Sequence, residues 1–214
     1  TLGVKSASLY IDANGSTAAK NIGITSADAI SLIGLDTAGS GTISITTSHS
    51  SDTADDITIG AALAASAGTG ALTLTANDDI NIDNALTHAG AITLTANGAG
   101  TNAGNLYGDS VVTATGAALR LNAKQIDDNG DTSGNLGVIS STLYIDADAT
   151  GDKNIGITSA DAVSLIGLDT AGSGTISITT THSSDTADDI TIGAALSASA
   201  ATGALTLTAN DDIN

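Results

Sequence analysis

Aspartate clusters are the part of this sequence best suited to bind a ligand. All 23 acidic residues of the 214-residue chain are Asp, and with only five Lys and Arg the net charge is −18. Three clusters stand out, at Asp52, Asp55 and Asp56, at Asp78, Asp79 and Asp83, and at Asp127, Asp128 and Asp131. Converging carboxylate oxygens are the ligands that Ca²⁺ prefers, whereas solvated turns with a diffuse cation atmosphere are the simpler interpretation.

A fourth arrangement of carboxylates follows further along the chain. Asp146, Asp148 and Asp152 have the spacing that begins an EF-hand loop, although Ile157 stands where such a loop has its bidentate Glu. The glycine-rich nonapeptide of calcium-binding β-rolls is absent. The candidate calcium ligands are therefore Asp52, Asp55, Asp56, Asp146, Asp148 and Asp152. We expect no other cofactor.

The elements that must position these carboxylates are short β-strands with a recurring template. The template is an aliphatic residue, a variable residue, a second aliphatic residue, another variable residue, and then Ala or Thr. We follow eight copies of it, which begin at Leu9, Ile43, Leu72, Ile92, Leu119, Leu143, Ile176 and Leu205. A period of two places the aliphatic and small residues on one side of each strand and the variable residues on the other. We expect the eight strands to stack as one continuous parallel sheet.

Two nested repeats organise the template. Residues 21–81 recur as residues 154–214 with four substitutions at an offset of 133, and the strands before them recur at an offset of 134. The template spacing of 20 to 34 residues matches one circuit of a parallel β-helix with two or three strands per turn. We predict an all-β solenoid of about eight coils, with five coils per 133–134-residue repeat. An antiparallel sandwich is the competing architecture.

This organisation predicts one continuous segment over residues 1–214, with a first large repeat at 1–134 and a partial second repeat at 135–214. The chain contains no Pro, Cys, Met, Trp or Phe. Such a composition favours strands and tight turns around a thin aliphatic core. The absence of Met predicts that the chain is an internal piece of something longer. We therefore expect further coils of a longer chain, or like chains stacked end to end, as its partners.

Few cations are available for binding anionic partners, which disfavours nucleic acid, and no apolar run reaches the length that spans a bilayer. Arg120 is the only arginine, and we expect it to stack over Tyr144 rather than to serve catalysis. The three histidines, His49, His88 and His182, are predicted to be loop residues. We expect no enzymatic activity.

Outward threonines form a second candidate surface. Ser44 and Thr46, Thr73 and Thr75, and Thr93 and Thr95 are predicted to stack over three successive coils. Arrays of this type resemble ice-binding solenoids, but an ordinary β-favouring surface has the same composition.

Three phrases carry a resemblance to a known family, namely GALTLTANDDINI at 70–82, GAITLTANGAG at 90–100 and GAALRLNAKQI at 116–126. They resemble the repeats of filamentous-haemagglutinin-like and giant β-strand-repeat surface proteins of Gram-negative bacteria. The resemblance implies a right-handed parallel β-helix that serves as an extracellular stalk, adhesin or biofilm matrix fibre. It implies no catalytic residue, and it places any cell-surface or glycan receptor contact elsewhere in the molecule. The alternative is a repetitive module that binds calcium, glycan or ice.

Overall fold

The computed structural model describes residues 1–13, 20–48, 55–64, 68–96, 104–127, 134–147, 154–172, 174–181, 188–196, 200–201 and 203–214. These residues form twenty strands and no helix. In chain order the strands are β1 (Leu2–Val4), β2 (Ser8–Ala13), β3 (Ile22–Ser26), β4 (Ile30–Thr37), β5 (Ile43–Thr47), β6 (Ile57–Ile59), β7 (Leu72–Ala76), β8 (Ile80–Asn81), β9 (Leu86–His88), β10 (Ile92–Ala96), β11 (Asn105–Tyr107), β12 (Val111–Asn122), β13 (Gln125–Asp127), β14 (Leu136–Ala147), β15 (Ile155–Ser159), β16 (Val163–Gly172), β17 (Ile176–Thr180), β18 (Ile190–Ile192), β19 (Ala200–Ala201) and β20 (Leu205–Thr208).

Parallel pairing between strands of successive coils makes the chain a β-solenoid. Leu72 of β7, for example, pairs with Ile43 one coil earlier and with Ile92 one coil later. All the strand pairs of the described residues are parallel. The prediction of an all-β parallel solenoid is therefore confirmed, and the antiparallel sandwich is excluded for these residues.

The paired strands run along three faces of the solenoid. Face A consists of β1, β3, β5, β7, β10, the second halves of β12 and β14, β16 and β18. Face B consists of β2, β4, β6, β8, β11 and β13, and Ile126 of β13 also pairs with Ile155 at the start of β15. Face C consists of β9, the first halves of β12 and β14, β15, β17 and β20. One complete coil, such as β7, β8 and β9, contributes a strand to each face.

The expectation that all eight template strands form one column is wrong at both ends. Ile43, Leu72, Ile92, Leu119 and Leu143 do stack in this order on face A. The first template strand instead lies on face B, where Leu9 pairs with Leu32, and the last two lie on face C, where Ile176 pairs with Leu205.

A β-bulge shifts the alternation of inner and outer residues in β4, the strand that pairs with the Leu9 strand one coil later. The pairing jumps from Leu9 opposite Leu32 to Tyr10 opposite Gly34, which leaves Ile33 as an extra, 43 % exposed residue. The same jump occurs in the second copy around Ile166. Residues 33–37 have the residue types of the template. The extra residue nevertheless shifts the alternation with period two, because Leu32 rather than Ile33 faces inward before Leu35.

The core is a stack of fully buried aliphatic side chains. Leu72, Leu74, Ile92, Leu94 and Leu119 have 0 % exposure, while the residues between them point outward and are half-buried or exposed. This alternation confirms the predicted inner and outer sides of the template strands. Because each aliphatic residue packs on its equivalent in the next coil, the core continues from coil to coil without interruption.

Glycines mark a tight corner just before the template strands. A side chain at Gly70 would overlap the carbonyl oxygen of Gly41 one coil below, and a side chain at Gly90 would overlap that of Gly70. The coils therefore approach each other most closely at this corner, where only the backbone fits. This contact explains why glycine precedes the template strand in successive coils.

Candidate functional site

Three carboxylates from two successive coils come together at one corner of the solenoid. Asp56 precedes β6, and Asp78 and Asp79 precede β8, the strand that pairs with β6 one coil later. One carboxylate oxygen from each of the three lies within 4.8 Å of the others. Two Ca²⁺–oxygen bonds span about the same distance, so the group could hold a divalent cation. We call this group the acidic corner.

Hydrogen bonds give the acidic corner a structural role as well. The Oδ1 atom of Asp56 accepts the backbone N–H of Asp79 at 3.1 Å, and the Oδ1 atom of Asp79 accepts the N–H of Asn105 at 2.6 Å. Each carboxylate thus caps a backbone donor of the next coil where the strand ladder has not yet begun. The aspartates therefore join coils even without a cation.

The second large repeat contains the same corner. Asp189, Asp211 and Asp212 bring carboxylate oxygens within 4.8 Å of one another. The Oδ1 atom of Asp189 accepts the N–H of Asp212 at 3.0 Å, which repeats the geometry of the first copy. The arrangement is therefore a property of the repeat.

Burial, and after it the crowding of like charges, raises pKa values in the acidic corner. Burial raises the pKa of Asp56, and the charges of Asp79 and Asp55 raise it further, although the hydrogen bond from the Asp79 backbone opposes them. The pKa of Asp78 is raised by burial and by Asp79 and Asp56. Burial and the same carboxylates also raise the pKa of the Tyr107 hydroxyl. Ionisation of these carboxylates therefore costs free energy that a bound cation or a proton would recover.

The structure brings together only part of the predicted calcium ligand set. Asp56 belongs to the acidic corner, whereas Asp52, Asp148 and Asp152 lie outside the described residues. Asp146 lies on face A, in register with Asn122 below and Asp169 above. The predicted grouping by sequence neighbourhood is therefore replaced by a grouping across coils.

Asp55 is a buried hydrogen-bonding residue rather than a member of the corner. It is 3 % exposed. Its carbonyl oxygen accepts the Thr47 hydroxyl, which in turn accepts the backbone N–H of Asn77 at 2.9 Å. The second repeat has the same bridge, because the Thr180 hydroxyl donates to the Asp188 carbonyl at 2.5 Å and accepts the Asn210 N–H at 3.0 Å.

This bridge explains the third template position. Six copies of the template have Ala there, while the two remaining copies have Thr47 and Thr180. Only 2 % of each threonine is exposed. Each hydroxyl is a hydrogen-bond partner for one backbone carbonyl and one backbone N–H, which would lose that partner if the residue were alanine. The sequence signal was the exception to the alanine rule, repeated at the same place in both copies.

The outward threonines form the predicted patch on face A. Thr73 lies between Ser44 and Thr93, and Thr75 lies between Thr46 and Thr95. The next coil interrupts the patch with Arg120 and Asn122, so the regular array is three coils long. We call these six residues the threonine patch.

Arg120 stacks on Tyr144 as predicted, with its guanidinium carbon 3.8 Å from the ring centroid. The opposite side of the tyrosine ring covers Gly167, where any side chain would overlap it. Gly34 and Tyr10 repeat this ring-on-glycine contact in the first copy. The arrangement is a packed surface stack on a polar face.

The prediction that His88 is a loop residue is wrong. His88 belongs to β9, is 2 % exposed, and places Nε2 2.6 Å from the carbonyl oxygen of Gly70. It also borders a cavity of about 170 Å³ that Thr37, Gly39 and Gly68 help to line. This cavity is smaller than the usual pocket for a small-molecule ligand. His49 and His182 lie outside the described residues.

Among the described residues, no helix has the length and apolar character needed to cross a membrane. No protein family model, curated protein or solved structure matches this chain. Its own geometry must therefore carry any functional argument.

Proposed function

We propose that this chain is a structural segment of a long, repetitive surface or secreted protein, in which it serves as an adhesin stalk or an extracellular matrix fibre. The observation that carries the proposal is the junction between the two large repeats. There β12 of the first repeat pairs with β14 of the second over nine residue pairs. The inner column continues through it as Leu94, Leu121 and Ile145. A repeat that stacks on its own copy in this way can extend a rod of any length.

The finer features of the proposal follow from the sequence pattern and the resemblance. The solenoid is right-handed and has about eight coils. It lies outside the cell, at the surface of a Gram-negative bacterium, and it contacts further coils of its own chain or like chains stacked end to end. It is not an enzyme, and it neither binds nucleic acid nor inserts into a membrane. A cell-surface or glycan receptor would be bound by another part of the molecule.

A length series tests the proposed stalk. A surface-display fusion would place one, two or three additional 133-residue repeats between a membrane anchor and a terminal binding tag. If the repeat is a spacer, capture of a tethered ligand should reach farther with every repeat and should be unaffected by Ala substitutions across the threonine patch. The proposal would be contradicted if the distance at which the ligand is captured did not depend on the number of repeats. It would also be contradicted if the Ala substitutions in the threonine patch abolished capture.

A calcium-binding module is the second candidate, and the duplicated acidic corner favours it. Two sets of three carboxylates have the spacing that a divalent cation could use. Isothermal titration with CaCl₂ should then give saturable heat for the wild type and none for a variant with Asp78→Asn and Asp211→Asn. Under the stalk proposal a chelator leaves the melting temperature unchanged. Glycan or ice binding through the threonine patch would belong to the same alternative class.

A further inference from the structure

Equivalent strands of the two large repeats lie on different faces of the solenoid. Leu74 of β7 lies on face A, whereas its copy Leu207 lies in β20 on face C. Leu9 lies on face B, whereas its copy Leu143 lies on face A. The shift has the same direction in both cases, from face A to face C and from face B to face A, which is one face earlier in the repeating order A, B, C.

Counting coils gives the size of the shift. Starting from Leu2, the inner column of face A passes through Ile24, Ile45, Leu74, Leu94, Leu121 and Ile145. The copy of Leu2 is Leu136, which lies on face C of the coil that begins with Leu121. That position is five complete coils and two faces beyond Leu2. The predicted five coils per repeat are therefore wrong, and the chain advances by about 5⅔ coils per repeat.

We infer that tandem copies of this repeat present their surface features in three directions, rotated by one third of a turn from each repeat to the next. The two copies already show this rotation. The threonine patch lies on face A. Thr206 and Thr208, which are the copies of Thr73 and Thr75 in the middle of the patch, lie on face C. After three repeats the pattern returns to its starting face, about 80 Å along the rod at ~4.8 Å per coil.

The rotation restricts the partners that a repetitive array can bind. A flat and rigid partner, such as an ice plane or a crystalline polysaccharide, can contact only every third threonine patch. The gain in avidity that consecutive copies give when they share one face is lost. The same rotation suits a spacer, because no side of the rod becomes adhesive along its length. The use of the rotation rests on the proposed stalk function, but the rotation itself does not.

Distances between paired spin labels test the rotation in the intact chain. The protein has no cysteine, so labels attach only at introduced positions. The test pair is Thr75→Cys with Thr208→Cys, which are copies of one position. The control pair is Thr46→Cys with Asp169→Cys, which lie five pairings apart in one column of face A.

The control pair should give about 24 Å, the rise of five coils. The test pair is separated by about 27 Å along the axis, and because the labels point from different faces we expect about 34 Å or more. A test distance near 27 Å would place both copies on one face and overturn the inference. Broad distributions for both pairs would overturn it too, since they would exclude regular coils. Neither result depends on reach at a cell surface, so failure of the stalk proposal remains distinguishable.

Discussion

Replacing Thr47 with Val should destabilise the solenoid although Val has nearly the same shape. The Thr47 hydroxyl accepts the N–H of Asn77 at 2.9 Å and donates to the Asp55 carbonyl. With 2 % of Thr47 exposed, water cannot readily replace it. Valine would leave one backbone donor and one backbone acceptor buried without this partner. At about 1–3 kcal/mol for each of these two unsatisfied groups, we expect a loss of about 2–6 kcal/mol in the free energy of unfolding.

Urea denaturation followed by circular dichroism would measure this loss, and hydrogen exchange should show faster exchange at the Asn77 amide. Thr46→Val is the matched control, because Thr46 is the outward neighbour on the same strand, and it should change stability by less than about 0.5 kcal/mol. Thr180→Val should reproduce the loss in the second repeat. Equal effects of Thr46→Val and Thr47→Val, or no effect of either, would refute the proposed bridge.

Three further substitutions test other parts of the structure. Gly70→Ala should cost about 1–3 kcal/mol in urea denaturation because its methyl group meets backbone of the coil below, whereas Gly3→Ala, with nothing within 4 Å, should be nearly neutral. Asp78→Asn should raise the melting temperature at neutral pH. The folded-state pKa of Asp78 is raised above 3.8, so its contribution is fully favourable below that value and is lost as pH rises through the raised pKa. The variant should therefore show a flatter dependence of melting temperature between about pH 4 and pH 7, and an unchanged profile would count against the crowded carboxylates. Arg120→Ala should cost about 0.5–1 kcal/mol, while Tyr144→Phe, which keeps the ring, should cost little; a larger loss for the tyrosine variant would contradict the stacking account.

The alternation of aliphatic and variable residues predicts the strands and their inner side, and the 20–34-residue spacing of the template predicts their parallel stacking. The position of Leu72 between Ile43 and Ile92 is predicted correctly, because the period of two gives its side and the template spacing gives its neighbours in this part of the chain. Strict alternation does not predict the inner residues of β4, because a bulge adds one residue and both Leu32 and Leu35, three positions apart, face inward.

The candidate site depended on contacts between coils, which sequence neighbourhood does not reveal. Asp56 meets Asp78 and Asp79 because the strands that follow them stack in register. The pairing of β6 with β8 would be sufficient to predict this group, since Asp residues stand directly before both strands. The hydroxyl bridge of Thr47 and the burial of His88 could not be predicted in this way. Each depends on a particular backbone group at a corner, and corner geometry has no simple period.

Small-angle X-ray scattering tests the claim that this repeat builds a continuous rod most directly. Asn214 is the copy of Asn81, so a copy of residues 82–214 added after Asn214 extends the chain by one repeat without changing the pattern. A solenoid that stacks repeat on repeat should lengthen by about 27 Å, at ~4.8 Å for each of about 5⅔ coils, and its cross-section should stay the same. An increase in cross-section with little change in length would show that the repeats fold side by side, and it would contradict the account.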